Sequence, residues 1–403
     1  MRSAGCRAVR GRLKAICTVA IPSSAALVAA GCATEPMADT IEVAGDTTVV
    51  VSRSPAAWGA ERTAHFDLVL GSPDASDEYV FGRLEPLAPT PDAGVVVYDQ
   101  MYNRISRFGA DGSFMGFIGQ GGQGPGEYDA VVDLAVTSTG VIAVQLYDGR
   151  ILLYDTDGTY RTEWRTQHRF AIGRSLATSR DSLLVLRLAR PAHRFIAMTL
   201  DGEVVDLLDL PATPWDDEVG RGQADIAPGR FDIWSPSHFG IAAVGSRLAF
   251  QVVDSTGSVR RVERDDYPRV GLLPSERADW EAQNEFLRRR AGAPDRFPPV
   301  PDFKPTIRGV FAAPGGDVWV HVATESSGPD PGHVESVAGL RATPQWLEPL
   351  RMEVFTRQGD YLGRVVGPPG VDVRAVSHGV IWGYRNGEFG EQHIVRLRVD
   401  DPS

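Results

Sequence analysis

A chain of 403 residues with 43% apolar residues can bury a large core, while its 43 Gly and 28 Pro exclude a helical solenoid and its apolar content excludes extended disorder. The formal charge of −11 argues against binding nucleic acid. Residues 1–31 hold five cations, Arg2, Arg7, Arg10, Arg12 and Lys14, and no acid, so the remainder carries 36 basic and 52 acidic side chains, with Lys304 as its one lysine.

The basic segment is followed by a mostly apolar stretch, Ala15 to Ala30, interrupted by Pro22-Ser23-Ser24 and ending in Gly31-Cys32-Ala33. It is too short and broken for a membrane span, and the order of basic, apolar and small residues predicts a signal peptide over 1–31. Residues 28–32, VAAGC, resemble the lipobox of bacterial lipoproteins, which implies lipidation of Cys32 and attachment to a membrane through that anchor. Ala29 stands where leucine is usual, so ordinary signal-peptidase cleavage remains an alternative. Ala33 in place of aspartate points to the outer membrane. Cys6 and Cys17 fall in the removed segment, leaving no disulfide in the mature chain. Residues 32–45 read as anchor and polar tether.

From residue 46 onward a strand-and-turn pattern recurs in register. Arg104, Arg150, Arg194, Ala249 and Arg351 are each followed at +1 and +4 by apolar residues and at +8 by a glycine, namely Gly112, Gly158, Gly202, Gly257 and Gly359. Asp111, Asp157 and Asp201 precede three of these, giving a strand that enters an Asp-Gly hairpin turn. A period near 45 residues of short strands predicts propeller blades, because one small sheet cannot cover both of its faces alone. The expected fold is all-β, a six-bladed β-propeller over 46–403. Its units run at about 79–119, 128–164, 172–210 and 231–264, then two further units to the C-terminus. The last unit stops without an outer strand, so residues 65–71 are expected to complete it beside residues 392–399. Residues 47–52 either extend that same sheet or cover its edge.

Two excursions interrupt the ring. In 265–307, residues 275–290 have helical composition, an N-cap candidate in Ser275, and a cationic last turn, Arg288 to Arg290, ahead of a Pro-rich loop. The second excursion, 324–349, carries Trp346. Both are expected on one face, where Trp280, Phe286, Trp346, Arg288, Arg289 and Arg290 are candidate binding residues for an envelope protein or glycan. The competing reading is that the aromatics pin the excursions to the ring.

Residues 99–128, DQMYNRISRFGADGSFMGFIGQGGQGPGEY, resemble the NHL repeat, and the chain after the tether is similar to six-bladed β-propeller proteins exported as bacterial lipoproteins. That resemblance implies a scaffold with many uses. Chemical motifs are scarce: Gly119 to Tyr128 lacks the Gly-Lys-Ser/Thr of a phosphate cradle and reads as an inter-blade turn. No catalytic residue or cofactor is assigned, and a metal is left open. His193 and His393 stand apart from other ligands, and the acidic clusters 216–218 and 265–266 are read as solvated surface rather than calcium sites. The arginines at 104, 150, 194 and 351 are read as pairing blade to blade, or else as an anionic-ligand ring. The leading function is non-catalytic binding. The alternative is a metal-dependent hydrolase or lyase, as in lactonase-like and amidating-lyase-like propellers, using His, Asp or Glu side chains in the central channel.

Overall fold

The computed structural model describes residues 39–400 apart from 167–175, 180–182, 189–192, 221–225, 292–297, 332–335, 338–339, 342–344 and 378. The expected signal segment and Cys32 lie outside the described residues, and of the expected tether only Asp39 to Gly45 is described. Part of that tether is ordered as strand β1, Thr40–Ala44. Among the described residues no helix is long and apolar enough to cross a membrane.

Six four-stranded units follow one another. Blade 1 contains Leu84–Pro89, Val95–Asp99, Arg104–Phe108 and Phe114–Ile118, and blade 2 contains Val131–Val136, Ile142–Leu146, Arg150–Tyr154 and Tyr160–Arg165. Blade 3 is Leu176–Thr178, Leu184–Arg187, Arg194–Met198 and Val204–Asp209, and blade 4 is Arg230–Ser235, Phe239–Val244, Ala249–Asp254 and Val259–Glu263. Blade 5 uses Ile307–Ala312, Val318–Val322, Pro349–Phe355 and Tyr361–Pro369. Blade 6 has Asp372–Ser377, Val380–Asn386 and Gln392–Val399, and takes its outer strand from the N-terminal region as β3, Arg62–Leu70. The register Ala64 to Val399 and Leu70 to Ile394 is the expected closure.

The blades are held by faces rather than edges. Apolar clusters form where each blade meets the next, and the one joining blade 6 to blade 1 contains Leu70, Phe81, Val97, Phe108, Trp382 and Ile394. Second strands such as Val95–Asp99 and Ile142–Leu146 are buried at every residue, as a sheet covered on both faces requires. The repeated glycines occupy the turns between third and fourth strands with φ between 84° and 95°, a region that penalises any Cβ. Several also seat each turn against the preceding blade. A Cβ at Gly158 would lie 3.1 Å from Ile118 Cδ1, and one at Gly112 would lie 2.8 Å from Leu68 and Leu70 on β3. Blade 1 therefore packs on the closing strand as blade 2 packs on blade 1.

The N-terminal segment forms a belt across three blades. Strand β2, Thr47–Val51, pairs in parallel with Val259–Glu263 of blade 4, and β1 pairs with β2. The N–H groups of Ala57 and Trp58 then donate to the carbonyls of Tyr361 and Leu362 on blade 5, and β3 closes blade 6. This corrects the expectation that residues 47–52 join the C-terminal blade. Val50 instead fills the surface of blade 4 beside Val262 and the blade-5 turn at Gly359.

The inner strands of all blades begin at one face, here the upper face, which carries the inter-blade links and the turns between second and third strands. Both excursions fall there, one linking blade 4 to blade 5 and the other joining the second and third strands of blade 5. Helix α1, Pro274–Ala291, starts with Pro274 at its first position, so Leu273 rather than Ser275 precedes it as cap. Glu276 Oε2 accepts the Leu273 N–H at 3.3 Å in a capping-box arrangement.

Candidate functional site

Lys304 organises the upper face. Its side chain is 1% exposed, and Nζ lies 3.1 Å from Glu276 Oε1 on α1 and 3.0 Å from Glu348 Oε1 in the second excursion. Nζ also donates to the Thr324 carbonyl at 3.1 Å and to Ser326 Oγ at 2.6 Å. Arg308, on the inner strand of blade 5, pairs with the same Glu348 oxygen, and Glu348 Oε2 accepts the Thr324 N–H at 3.0 Å. Burial pushes the Glu348 carboxyl up, but Arg308, Lys304 and the Thr324 N–H outweigh it and hold it below its ordinary range. One ammonium thus ties both excursions to each other and to the ring.

Beside this clasp lies a cleft of about 390 Å3. Trp280, Arg308, Trp346 and Glu348 form one side, and Asp372, Tyr384 and Asn386 of blade 6 form another. Trp346–Leu347 is held as a short strand against Gly328–Pro329. Asn386 Nδ2 donates to Asp330 Oδ2 at 3.1 Å and to Gln345 Oε1 at 3.0 Å, joining blade 6 to the second excursion across the cleft. The arrangement offers an indole, amides, the matched charges of Arg308, Glu348 and Asp330, and the exposed guanidinium of Arg385.

Of the six binding candidates, Trp280 and Trp346 come together on this cleft, while Phe286, Arg288, Arg289 and Arg290 do not line it. Trp280 is 3% exposed and packs with Ile226, Val300 and Leu272, so most of its ring pins α1 to the ring. Arg289 and Arg288 pair with Glu285 at 2.8 and 3.8 Å along the helix, and Arg290 is exposed. Lys304, Glu348, Asp330, Asn386 and Tyr384 were not singled out from sequence, and they converge from separate elements.

The other motifs are accounted for structurally. The loop Gly119 to Tyr128 is closed by parallel pairing of Gln120–Gly121 with Glu127–Tyr128 and by Glu127 accepting the Gly124 N–H at 2.9 Å. Arg104 Nη2 donates to the Asp77 carbonyl at 2.9 Å and Arg150 Nη1 to the Glu127 carbonyl at 3.3 Å, both in the segments that precede their blades, whereas Arg194 pairs with Asp209 inside blade 3, which corrects the expectation of blade-to-blade pairing there. Arg351 is the third residue of the corresponding strand of blade 5, Pro349–Phe355. In the acidic clusters Asp216 pairs with Arg230, Glu218 with Arg247 and Asp265 with Arg53. His193 Nδ1 lies 2.7 Å from Asp232, and His393 Nδ1 is 2.9 Å from the Gly71 carbonyl. Among the described residues no three His, Cys, Asp or Glu side chains are grouped to hold a metal ion.

Comparison with known proteins bears on the fold. The family described as 6-bladed beta-propeller matches residues 76–182. No curated protein sequence matches the chain. A solved member of a domain-of-unknown-function family from Bacteroides vulgatus is similar at 12% identity, covering 84% of this chain and 98% of that one, with a TM-score of 0.53. Virginiamycin B lyase from Staphylococcus aureus is similar at 10% identity over 82% of this chain and 98% of that one, with a TM-score of 0.41. The first of these likenesses speaks to architecture alone. Blade order, the closing strand and the family match make this chain a six-bladed β-propeller with two excursions on its upper face.

Proposed function

We propose that the protein is a non-catalytic binding propeller of the cell envelope whose upper cleft takes a glycan. The single observation that carries this reading is the clasped cleft itself: two excursions locked through buried Lys304 place the Trp346 indole on a wall shared with the amides of Gln345, Asn386 and Gln392. An aromatic wall with amides suits a neutral polyhydroxylated ligand, because Lys304, Arg308, Glu348 and Asp330 already have partners and the exposed Arg385 contacts the Phe66 ring at 5.5 Å. The metal-dependent hydrolase or lyase alternative calls for unmatched carboxylates or imidazoles in the channel, whereas Glu348 is matched by two cations.

Titration of the protein with neutral chitooligosaccharides and maltooligosaccharides tests it. Saturable binding is expected, and Trp346→Ala should weaken it at least tenfold, about 1.4 kcal/mol. The reading fails if no oligosaccharide binds or if the variant binds like the parent.

Envelope location rests on the 1–31 segment and the VAAGC sequence. On this reading the mature chain begins at a lipidated Cys32 and partitions with outer membranes. Intact-mass analysis of membrane and soluble fractions checks it, and an unmodified soluble chain excludes lipidation.

A further inference from the structure

The lower end of the ring encloses a different space. About 800 Å3 opens where the six inner strands end, and every blade contributes to its wall. Leu87, Leu134, Val136, Trp234, Ala312 and Val376 give its character, and none of its lining residues is Asp, Glu, Lys, Arg or His. A deeper chamber of about 170 Å3 shares Ala177, Trp234, Ala312, Ala375 and Val376 with it. The one charged residue there, Arg374, is engaged at 2.6 Å with Asp372 and stacks 5.0 Å from the Tyr384 ring centre.

The hydroxyls at this mouth are committed to the protein. Thr90 donates to Asp92, Thr178 donates to the Val136 carbonyl at 3.2 Å, Thr137 Oγ1 accepts the Val141 N–H at 2.9 Å, and Ser179 Oγ accepts the Leu183 N–H at 3.2 Å. The wall therefore presents mainly carbon, and water inside it gains few hydrogen bonds. Ala177, Ala312 and Ala375 are half-exposed, so small side chains rather than a packed plug keep the space open. Pro89, Pro91, Pro236 and Pro314 stand at the rim, where their fixed backbone reduces the ordering needed on binding. The volume lies in the range of small-molecule sites.

We propose that the lower lumen binds a neutral, predominantly apolar small molecule. Neutrality follows because Arg374 already has its counter-charge and no other ionised group lines the wall among the described residues. The site is on the opposite face from the glycan cleft and stands or falls independently of it.

The test uses the full chain and the neutral fluorophore N-phenyl-1-naphthylamine. Saturable one-to-one binding is expected, with a higher thermal midpoint at saturation. Ala312→Phe and Ala375→Leu, which extend side chains into open space, should each lower affinity at least tenfold while keeping the parent's thermal transition. Phe389→Ser, at an exposed upper-face tip, and Trp346→Ala should leave probe binding unchanged. Non-saturable binding, no rise in midpoint, or parental affinity in a folded lumen-filling variant would each overturn the proposal.

Discussion

A chain that starts at Ser72 is expected to aggregate or lose its cooperative thermal transition, while one that starts at Asp46 keeps both. The first lacks β2, the crossing over blade 5 and β3, so it uncovers blades 4 and 5 and leaves blade 6 with a bare third strand. Val50, Ala64 and Leu70 are buried, and Phe66, Leu68 and Trp58 are partly so; with the lost ladder bonds the deficit is on the order of 10 kcal/mol, comparable to the whole stability of a typical domain. Among the described residues the shorter truncation removes β1, whose Ile41 and Val43 are exposed, and Asp39, which accepts the Arg53 and Ser54 N–H groups. Thermal unfolding with light scattering distinguishes the two, and equal behaviour contradicts the closure.

A finer test separates side-chain clasp from strand pairing. Asp67 sits at an irregularity in β3 and receives Arg396 at 2.9 and 3.1 Å, while Arg396 also donates to the Ala110 carbonyl at 2.8 Å. Burial pushes the Asp67 carboxyl up, and Arg396 with Arg398 outweighs it, so the group stays below its ordinary range. Arg396 is 9% exposed at its side chain, and Arg396→Leu should cost about 2 kcal/mol because the half-buried Asp67 carboxylate keeps only the exposed Arg398. Urea unfolding at neutral pH measures it, and a cost under about 1 kcal/mol would place closure in the strand pairing alone.

The ring was legible because a blade repeats one local problem. The strand must be apolar on both faces, and its turn must accept positive φ, so the glycines mark the period even where the arginine is lost. Blade 4 lost both Arg and Asp yet kept Gly257, with φ 84°. The position of β2 was hidden, since TTVVV suits any outer strand and its parallel partner is some 210 residues away. Helix α1 concealed its orientation for a related reason: its buried face is Glu276, Trp280, Gln283 and Asn284, mostly polar, so hydrophobic periodicity has little to report. The cleft has no local motif, being assembled from positions between 276 and 392. One signal could have found it, the sole lysine after residue 31 in a chain otherwise served by arginine. A compact ammonium with three donors fits a closed pocket of Glu, Ser and carbonyl groups that a planar guanidinium does not.

Lys304→Met is therefore expected to cost about 3–5 kcal/mol at neutral pH, since Glu276, 3% exposed at its side chain, keeps no second cation and Glu348 keeps only Arg308. Methionine preserves the stem, so the change isolates the charge and its donors. Loosening should be local first: protease cleavage within 265–306 and 324–349 is expected to accelerate before the blades unfold, because Lys304 is the group that binds these two segments to each other. The acid dependence follows from Glu348. Its folded carboxyl lies below the ordinary value of 4.5, so its contribution is fully present above that value and is lost as pH falls through the lower folded one. In the variant one of the two cations is gone, the carboxyl rises toward its ordinary value, and the loss of stability below pH 4.5 becomes shallower. Urea unfolding and limited proteolysis at pH 7 and again below pH 4.5 measure both effects. A variant within about 1 kcal/mol of the parent at pH 7, with unchanged cleavage, would remove Lys304 from the role of clasp.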